Sequence, residues 1–396
     1  MRWLTAVLWF LAACAAPEPE YVPGGADLPD AARRNYKDAV LAELRGDVAE
    51  AIDGYAALCE RYPTRLAFHL ARIRLVRTRG GPDAARSLYD PAPPGVDPLR
   101  AQILSGFCDL KEGDLPARRD LLAFAREKEP TEPYWMIGEA DLEMRALEKV
   151  LDRAAQERAR AEVDDVRKTL EDAEAMLERA RVSATAAAEK DAGFAAAHQM
   201  LGYIAARHAD LVTDFDRRDE LRHQAEREYA RAVELDPFAL SARLNLAENH
   251  LFFSANNKAI KELRTCAELA PGEAAVWRNL GLAYFREGRL DESTKAYERA
   301  IELDPDNARA HAALADCLHD TGQDKDALER LHLAWDKAND DRGLRAEIAF
   351  KLAAIYEYEG AYKQAIEQYE LHVKLGGAES GKAEYRIRQI YERAFE

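Results

Sequence analysis

Apolar residues in this chain recur on two scales. Within segments of about thirteen residues they return every three or four positions, the mark of amphipathic helices, and between segments the same landmarks return every 34 residues. The clearest copy runs from Ala274 to Asn307. Counted from Ala274, Trp277 is at position 4, Leu280 and Gly281 at 7 and 8, Tyr284 at 11, Ser293 at 20, Tyr297 at 24, Ala300 at 27 and Pro305 at 32. Small residues at 8, 20 and 27 let backbones approach, and the aromatics at 4, 11 and 24 fill wedges between helices. Proline at 32 ends the second helix, because it has no N–H and constrains the residue before it.

The period extends in both directions. Leu240–Glu273 carries Leu246, Ala247, Ala259, Leu263, Cys266 and Pro271 in register, and Ala308–Asp341 carries Leu314, Ala315, Gly322, Ala327, Leu331 and Ala334, with Asn339 where proline is expected. After four extra residues, Ala346–Glu379 repeats the pattern, and Gly376 and Gly377 are expected to stop its second helix. Lys382–Glu396, with Tyr385, Ile387, Ile390, Tyr391 and Phe395 among charges, has the character of a terminal capping helix. Upstream, Ala32–Arg65 places Ala39, Gly46, Ala51, Tyr55 and Pro63 in register. Leu66 to about Pro93 is a weaker copy ending in the turn-forming PAPPGVDP, and Leu99–Glu132 restores the period with Gly106, Gly113, Leu122, Ala125 and Pro130.

This pattern resembles the tetratricopeptide repeat, a helix-turn-helix unit. The resemblance implies an all-α fold, a right-handed superhelical solenoid, with one elongated coiled-coil-like helical pair specific to this chain. It covers most of Ala32–Glu396 and is most specific from Leu240 onward. The domain organisation expected is residues 32–132 as degenerate N-terminal units, 133–192 as a long helical hairpin, 193–379 as C-terminal units and 380–396 as the cap.

Two interruptions set this chain apart. Glu139–Ala192 contains neither glycine nor proline and is dominated by Ala, Glu, Arg and Leu, so it is expected to be helical throughout. Ala140, Leu147, Ala154 and Ala161 keep a seven-residue step, while Val163, Val166, Leu170, Ala173, Leu177, Ala180 and Ala184 follow another phase. A turn between two antiparallel helices explains the break, and a single helix of about fifty residues is the alternative. The second interruption inserts eleven residues between Gly193 and Pro237, including His208, Asp210, Asp214, Asp216, Arg217, Arg218 and Asp219. Its polarity is read as an exposed, lengthened inter-helix turn or a binding loop.

At the N-terminus, Arg2 precedes the apolar run Trp3–Leu11 and then Leu11-Ala12-Ala13-Cys14. This resembles a bacterial lipoprotein signal, which implies removal of residues 1–13 and lipid attachment at Cys14. Residues 14–31 have the Pro/Gly/Glu composition of a tether. The resemblance implies a cell-envelope location, lipid-anchored at the outer membrane and facing the periplasm; Ala15 after the cysteine is similar to lipoproteins sorted there.

The formal net charge is -16, so nucleic acid is not an expected ligand. The remaining cysteines, Cys59, Cys108, Cys266 and Cys317, form no C-x-x-C pair and are read as buried thiols. His69, His198 and His311 each fall at position 4 and are read as packing residues. Neither metal-ligand spacing nor a catalytic constellation stands out, so an enzyme, a cofactor or a bound metal is not expected. In the family the inner face is formed by first-helix positions 2, 5, 6, 9, 12 and 13. Asn245 and Asn279, both at position 6, are thereby candidates to hydrogen-bond a peptide backbone or to bond locally, with Arg278, Phe285, Arg309 and His319 as neighbouring contacts. Asn279 followed by Arg309 partly resembles the carboxylate clamp of chaperone-binding members. Leu244, Glu248 and Ala313 depart from that clamp, so capture of a C-terminal carboxylate is not expected. The function expected is a non-catalytic envelope scaffold that binds a partner protein or peptide. Its rivals are an accessory subunit of an envelope hydrolase or transport machine, and self-association through the hairpin.

Overall fold

Helix formers, punctuated at regular intervals by Gly, Pro and Asp, produce helices and short turns. The computed structural model describes residues 30–110, 114–159, 163–339 and 341–394, and the described residues contain helices but no strands. Cys14, the signal segment 1–13, tether residues 14–29, Gly113, Ala161 and Phe395 lie outside them. The chain divides into two compact units, the first reaching Phe253 and including Leu269–Pro271, the second made of Ser254–Glu268 and Gly272 onward.

The first unit contains α1 (Asp30–Leu44), α2 (Val48–Arg61), α3 (Leu66–Arg86), α4 (Pro98–Asp109), α5 (Leu115–Lys128), α6 (Pro133–Ala159), α7 (Val163–Lys190), α8 (Ala195–Leu211), α9 (Phe215–Leu235) and α10 (Leu240–Phe252). Each helix packs on the next in sequence, and α6 and α8 also touch the helix two further on. The α3 span is broken where Gly81 takes φ 80° and ψ 179° just before Pro82, which divides the weak second repeat into its two arms.

The long Ala/Glu/Arg run is two helices, not one. Ala140, Leu147 and Ala154 of α6 and Ala173, Leu177, Ala180 and Ala184 of α7 are all buried, so the two phases of the sequence are the two sides of one seam. Ion pairs Glu143–Arg179 at 2.8 Å and Arg153–Asp172 at 3.7 Å run in opposite order along the helices and mark them as antiparallel. The eleven-residue insertion corrects the expectation of a polar turn. It is helical: α8 and α9 are 17 and 21 residues long, and only three residues, 212–214, separate them. Asp214 starts α9 by accepting from the Arg217 backbone N–H, while Arg207 and Arg222 both pair with Asp210. The polar residues are the solvated faces of two extended helices.

The second unit contains α11 (Asn256–Leu269), α12 (Ala274–Arg286), α13 (Leu290–Leu303), α14 (Ala308–Asp320), α15 (Asp324–Lys337), α16 (Arg342–Tyr358), α17 (Tyr362–Lys374) and α18 (Ser380–Ala394). Its spacing rule has a direct physical cause. A Cβ on Gly281, at position 8, would stand 2.7 Å from the ring of Tyr297, at position 24; Gly202 in the first unit faces Tyr229 at the same distance. Ser293 replaces alanine at position 20 without leaving a polar group stranded, since its hydroxyl donates to the Gly281 carbonyl at 2.8 Å. Cys59, Cys108, Cys266 and Cys317 are free and buried, and burial pushes the Cys59 and Cys108 thiols up to about 12. On α18, Ile390 is buried against the unit and Ile387 half-buried, while Tyr385 and Tyr391 face outward.

Position 15 turns four of the helix pairs through a left-handed glycine, Gly46, Gly288, Gly322 and Gly360, with φ between 75° and 84°. In the Leu240 repeat the same position is Ser254, at φ 55°. A side chain there costs roughly 1–2 kcal/mol, part of which glycine loses again to its freer unfolded chain. Ser254→Gly is therefore expected to raise stability by about 0.5–1 kcal/mol, read as a higher melting temperature by scanning calorimetry; an unchanged or lower value would refute the strain argument.

Candidate binding face

The first helices of successive repeats in the second unit, α12, α14 and α16, touch one another, which makes their shared side a continuous face. It is built by residues from three segments of near-identical pattern, so equivalent positions line up across it.

On α12, Asn279 is half-buried and its Oδ1 accepts from Arg278 Nη2 at 3.3 Å. Arg278 is itself only 6% exposed, which places it as support beneath Asn279 and not as an open contact. Phe285 is half-buried against the cluster of Tyr297, Leu314 and Cys317. On α14, Arg309 Nη2 donates to Asp341 Oδ2 at 3.1 Å, and the other oxygen of Asp341 caps α16 through the Leu344 N–H. That guanidinium ties one repeat to the next. His319 Nδ1 lies 2.6 Å from Asp324 Oδ1, and its ring meets Tyr358 edge-on at 5.5 Å.

Three functional candidates on this face were missed in the sequence. Lys351 of α16 pairs with Asp316 of α14 and approaches Glu347 at 3.4 Å. Burial pushes the Asp316 carboxyl above the usual carboxylate range; burial also pulls on Lys351, but Asp316 and Glu347 more than offset it and hold the ammonium above the usual lysine range. Tyr358, 76% exposed at the end of α16, stands on the rim beside His319. Lys351 occupies position 6 of its repeat, the position already singled out at Asn245 and Asn279, so reading position 6 through every repeat identifies it.

Asn245 lies in the first unit, apart from the other five candidates. It is half-buried on α10. Further along that helix Asn249 donates to the Arg222 carbonyl at 3.1 Å, Arg222 lies over the Phe252 ring at 4.5 Å, and His223 stacks on Phe253 at 4.5 Å. The position-4 histidines do more than pack. His69 Nε2 lies 3.0 Å from the Pro63 carbonyl and His311 Nε2 lies 3.1 Å from that of Pro305, each bonding the proline that ends the preceding helix pair. His198 instead meets Glu228 at 2.8 Å. Among the described residues no group of three or more His, Cys, Asp or Glu side chains is placed to hold a metal ion, and no helix is long and apolar enough to cross a membrane.

Residues 282–322 match the family described as TPR repeat. Superkiller protein 3 of Schizosaccharomyces pombe is 27% identical over 122 residues, covering 30% of this chain and 9% of that protein. Heat shock protein STI1 of Saccharomyces cerevisiae is 28% identical over 117 residues, covering 27% of this chain and 19% of that protein. The chain thus spans under a fifth of the length of either of these curated relatives. Among solved structures, Pseudomonas aeruginosa pilF is similar at 16% identity and a TM-score of 0.43, covering 62% of this chain and 99% of that one. MamA from Desulfovibrio magneticus RS-1 is similar at 18% identity and a TM-score of 0.38, covering 51% and 97%. Repeats of this kind mediate protein–protein interaction and are typically non-catalytic.

Proposed function

We propose that the chain is a non-catalytic scaffold of the bacterial cell envelope, anchored by lipid on Cys14, that binds a partner protein or peptide along the inner faces of its repeats. The observation that carries this reading is the face of α12, α14 and α16. It presents a half-open carboxamide at Asn279, a paired ammonium and carboxylate at Lys351 and Asp316, and an exposed aromatic at Tyr358. Carboxamides supply both donor and acceptor to an extended backbone, and exposed tyrosine supplies contact area at small entropic cost. Arg309 serves the reading indirectly, by fixing α14 against α16 through Asp341.

Crosslinking and affinity capture from native membranes test the proposal. Asn279→Ala with Tyr358→Ala is expected to lower recovery of one specific partner at least tenfold with unchanged circular dichroism, a loss of about 1.4 kcal/mol or more. Asn245→Ala alone reports on the first unit separately. Undiminished recovery with both variants rules out the inner faces. Cys14→Ser is expected to move the protein from the membrane to the soluble fraction, and retention at the membrane would remove the anchor from the reading.

A further inference from the structure

Within the first unit, the helix pair α4/α5 departs from its neighbours. A cavity of about 680 Å3 opens between these helices and the loop that follows α3, a size in the range of small-ligand pockets. Its cause is visible residue by residue. Where the Ala274 repeat has Trp277, Leu280 and Tyr284 at positions 4, 7 and 11, the Leu99 repeat has Gln102, Ser105 and Asp109, and all three line the cavity. Bulky wedge residues have been exchanged for shorter polar ones, so the helices leave a space that they do not close. The facing wall is apolar, from Leu121 and Phe124 of α5, and Asp90 adds a second carboxylate from the loop.

The charge is as specific as the shape. Asp109 is already met by Arg86, whose Nε donates to its Oδ1 at 2.8 Å, whereas Asp90 is exposed and has no ion pair among the described residues. The Asp90 carboxylate therefore stands without an ion pair opposite a hydrocarbon wall, with an amide and a hydroxyl beside it, and the Lys128 ammonium, paired with Glu127, already lies 5.7 Å from the centre of the Phe124 ring.

We propose that this cavity is a binding site for an aliphatic primary ammonium, the chemistry shared by a lysine side chain and a free alkyl amine. The alkyl stem lies on Leu121 and Phe124, and the ammonium, which has three donors and no acceptor, finds acceptors in Asp90, Asp109 and Gln102. This site is independent of the face formed by α12, α14 and α16, and neither reading requires the other.

The test uses the full chain with methyl-labelled leucine and alanine, titrated separately with hexylammonium, hexanoate and a short acetylated, amidated peptide containing one lysine. Hexylammonium or the peptide is expected to shift the Leu121 and Ala101 methyl resonances saturably, at least fivefold more tightly than hexanoate. Asp90→Asn, a change at an exposed loop residue that leaves the helices intact, is expected to weaken that binding at least fivefold. Gln102→Trp with Ser105→Leu refills the wedge and is expected to abolish it, with circular dichroism reporting that both variants fold. Saturation by the amine alone assigns the site to a small molecule, and saturation by the peptide assigns it to a partner's lysine. Absence of saturable shifts with both, or equal affinity for hexanoate, overturns the proposal.

Discussion

Truncation of Trp135 to alanine is expected to lower stability by about 3–5 kcal/mol, the cost of emptying a large aromatic site in a core that cannot fully collapse. The side chain is completely buried, and its ring stacks on Phe107 of α4 at 5.4 Å with only 8° between the planes. Its indole N–H also donates to Glu129 Oε2 at 2.7 Å, while the other oxygen of that carboxylate accepts from Arg100 Nε at 2.7 Å. Arg100 in turn donates to the Thr64 carbonyl at 2.8 Å, so one chain of contacts joins α6, the end of α5, α4 and the turn before α3. Trp135→Phe separates the two contributions. It keeps one stacked ring but removes the hydrogen bond together with the volume of the second ring, so a smaller loss of about 1–3 kcal/mol is expected. Urea unfolding followed by far-ultraviolet circular dichroism measures both variants. Because stability in a stacked array depends on nearest-neighbour interfaces, Trp135→Ala is also expected to broaden the transition. A loss of under 1 kcal/mol for Trp135→Ala would show that this seam is not a principal interface.

The parts of this architecture legible beforehand are those in which one contact fixes one offset. Gly281 and Tyr297 sit sixteen residues apart because a ring must lie where a Cβ would be, and the same contact dictates which positions are small. Polarity misled where it was taken as a substitute for breaking residues. His208 to Asp219 reads as a loop by charge, yet no glycine or proline occurs from Tyr203 to Asp236, the same signal that marks 139–192 as helical. Gly376 and Gly377 end α17 together, Gly376 through its left-handed φ of 73° and Gly377 by donating its N–H to the His372 carbonyl at 3.0 Å; what the pattern does not disclose is that Gly377 also leaves room for the ring of His372, whose Nδ1 lies 2.7 Å from the Ala346 carbonyl. The candidate face is the least legible. Its ion pairs join residues about one repeat apart, Asp316 to Lys351 and Arg309 to Asp341, and a charge in a sequence does not name its partner. Arg278 shows the same limit from the other side, since a position facing inward in the pattern is covered by the residues around it.

His69 is expected to make the first unit acid-sensitive in a way that substitution removes. Since Pro63 O only accepts, Nε2 must carry the proton of the 3.0 Å bond between them, which leaves Nδ1 to accept from the Tyr89 hydroxyl at 3.0 Å. The Pro63 bond survives in either form of the ring, whereas acceptance from the Tyr89 hydroxyl requires the neutral one. The imidazole is 2% exposed, and burial, against the pull of the Pro63 carbonyl and with Arg100 and Arg72 adding to it, lowers its pKa to about 4. The unfolded chain, with histidine near 6.5, therefore binds the proton first. Stability from this group is complete above about pH 6.5 and is lost as pH falls towards 4, on the order of 3 kcal/mol in all. Asp236 acts in the opposite sense within the same unit, because burial raises its carboxyl to about 6, above the unfolded value, and its contribution is lost as pH rises through that value. The wild-type profile alone consequently mixes opposed slopes, since Glu132 and Glu139 are raised by burial as Asp236 is and His208 is lowered as His69 is, and a flat curve would conceal them all. Comparison with His69→Gln, which retains a donor for Pro63 O but does not titrate, isolates one of them. At pH 7 the two proteins are expected to differ by packing alone. Between pH 6.5 and 4 the wild type should lose more stability than the variant by on the order of 3 kcal/mol, measured as urea midpoints at each pH. Asp236→Asn removes one opposing slope, while Glu132 and Glu139, also raised by burial, remain, so its midpoint should fall more steeply towards low pH than that of the wild type. Parallel pH profiles for wild type and His69→Gln would mean that the ring is not held neutral by this site.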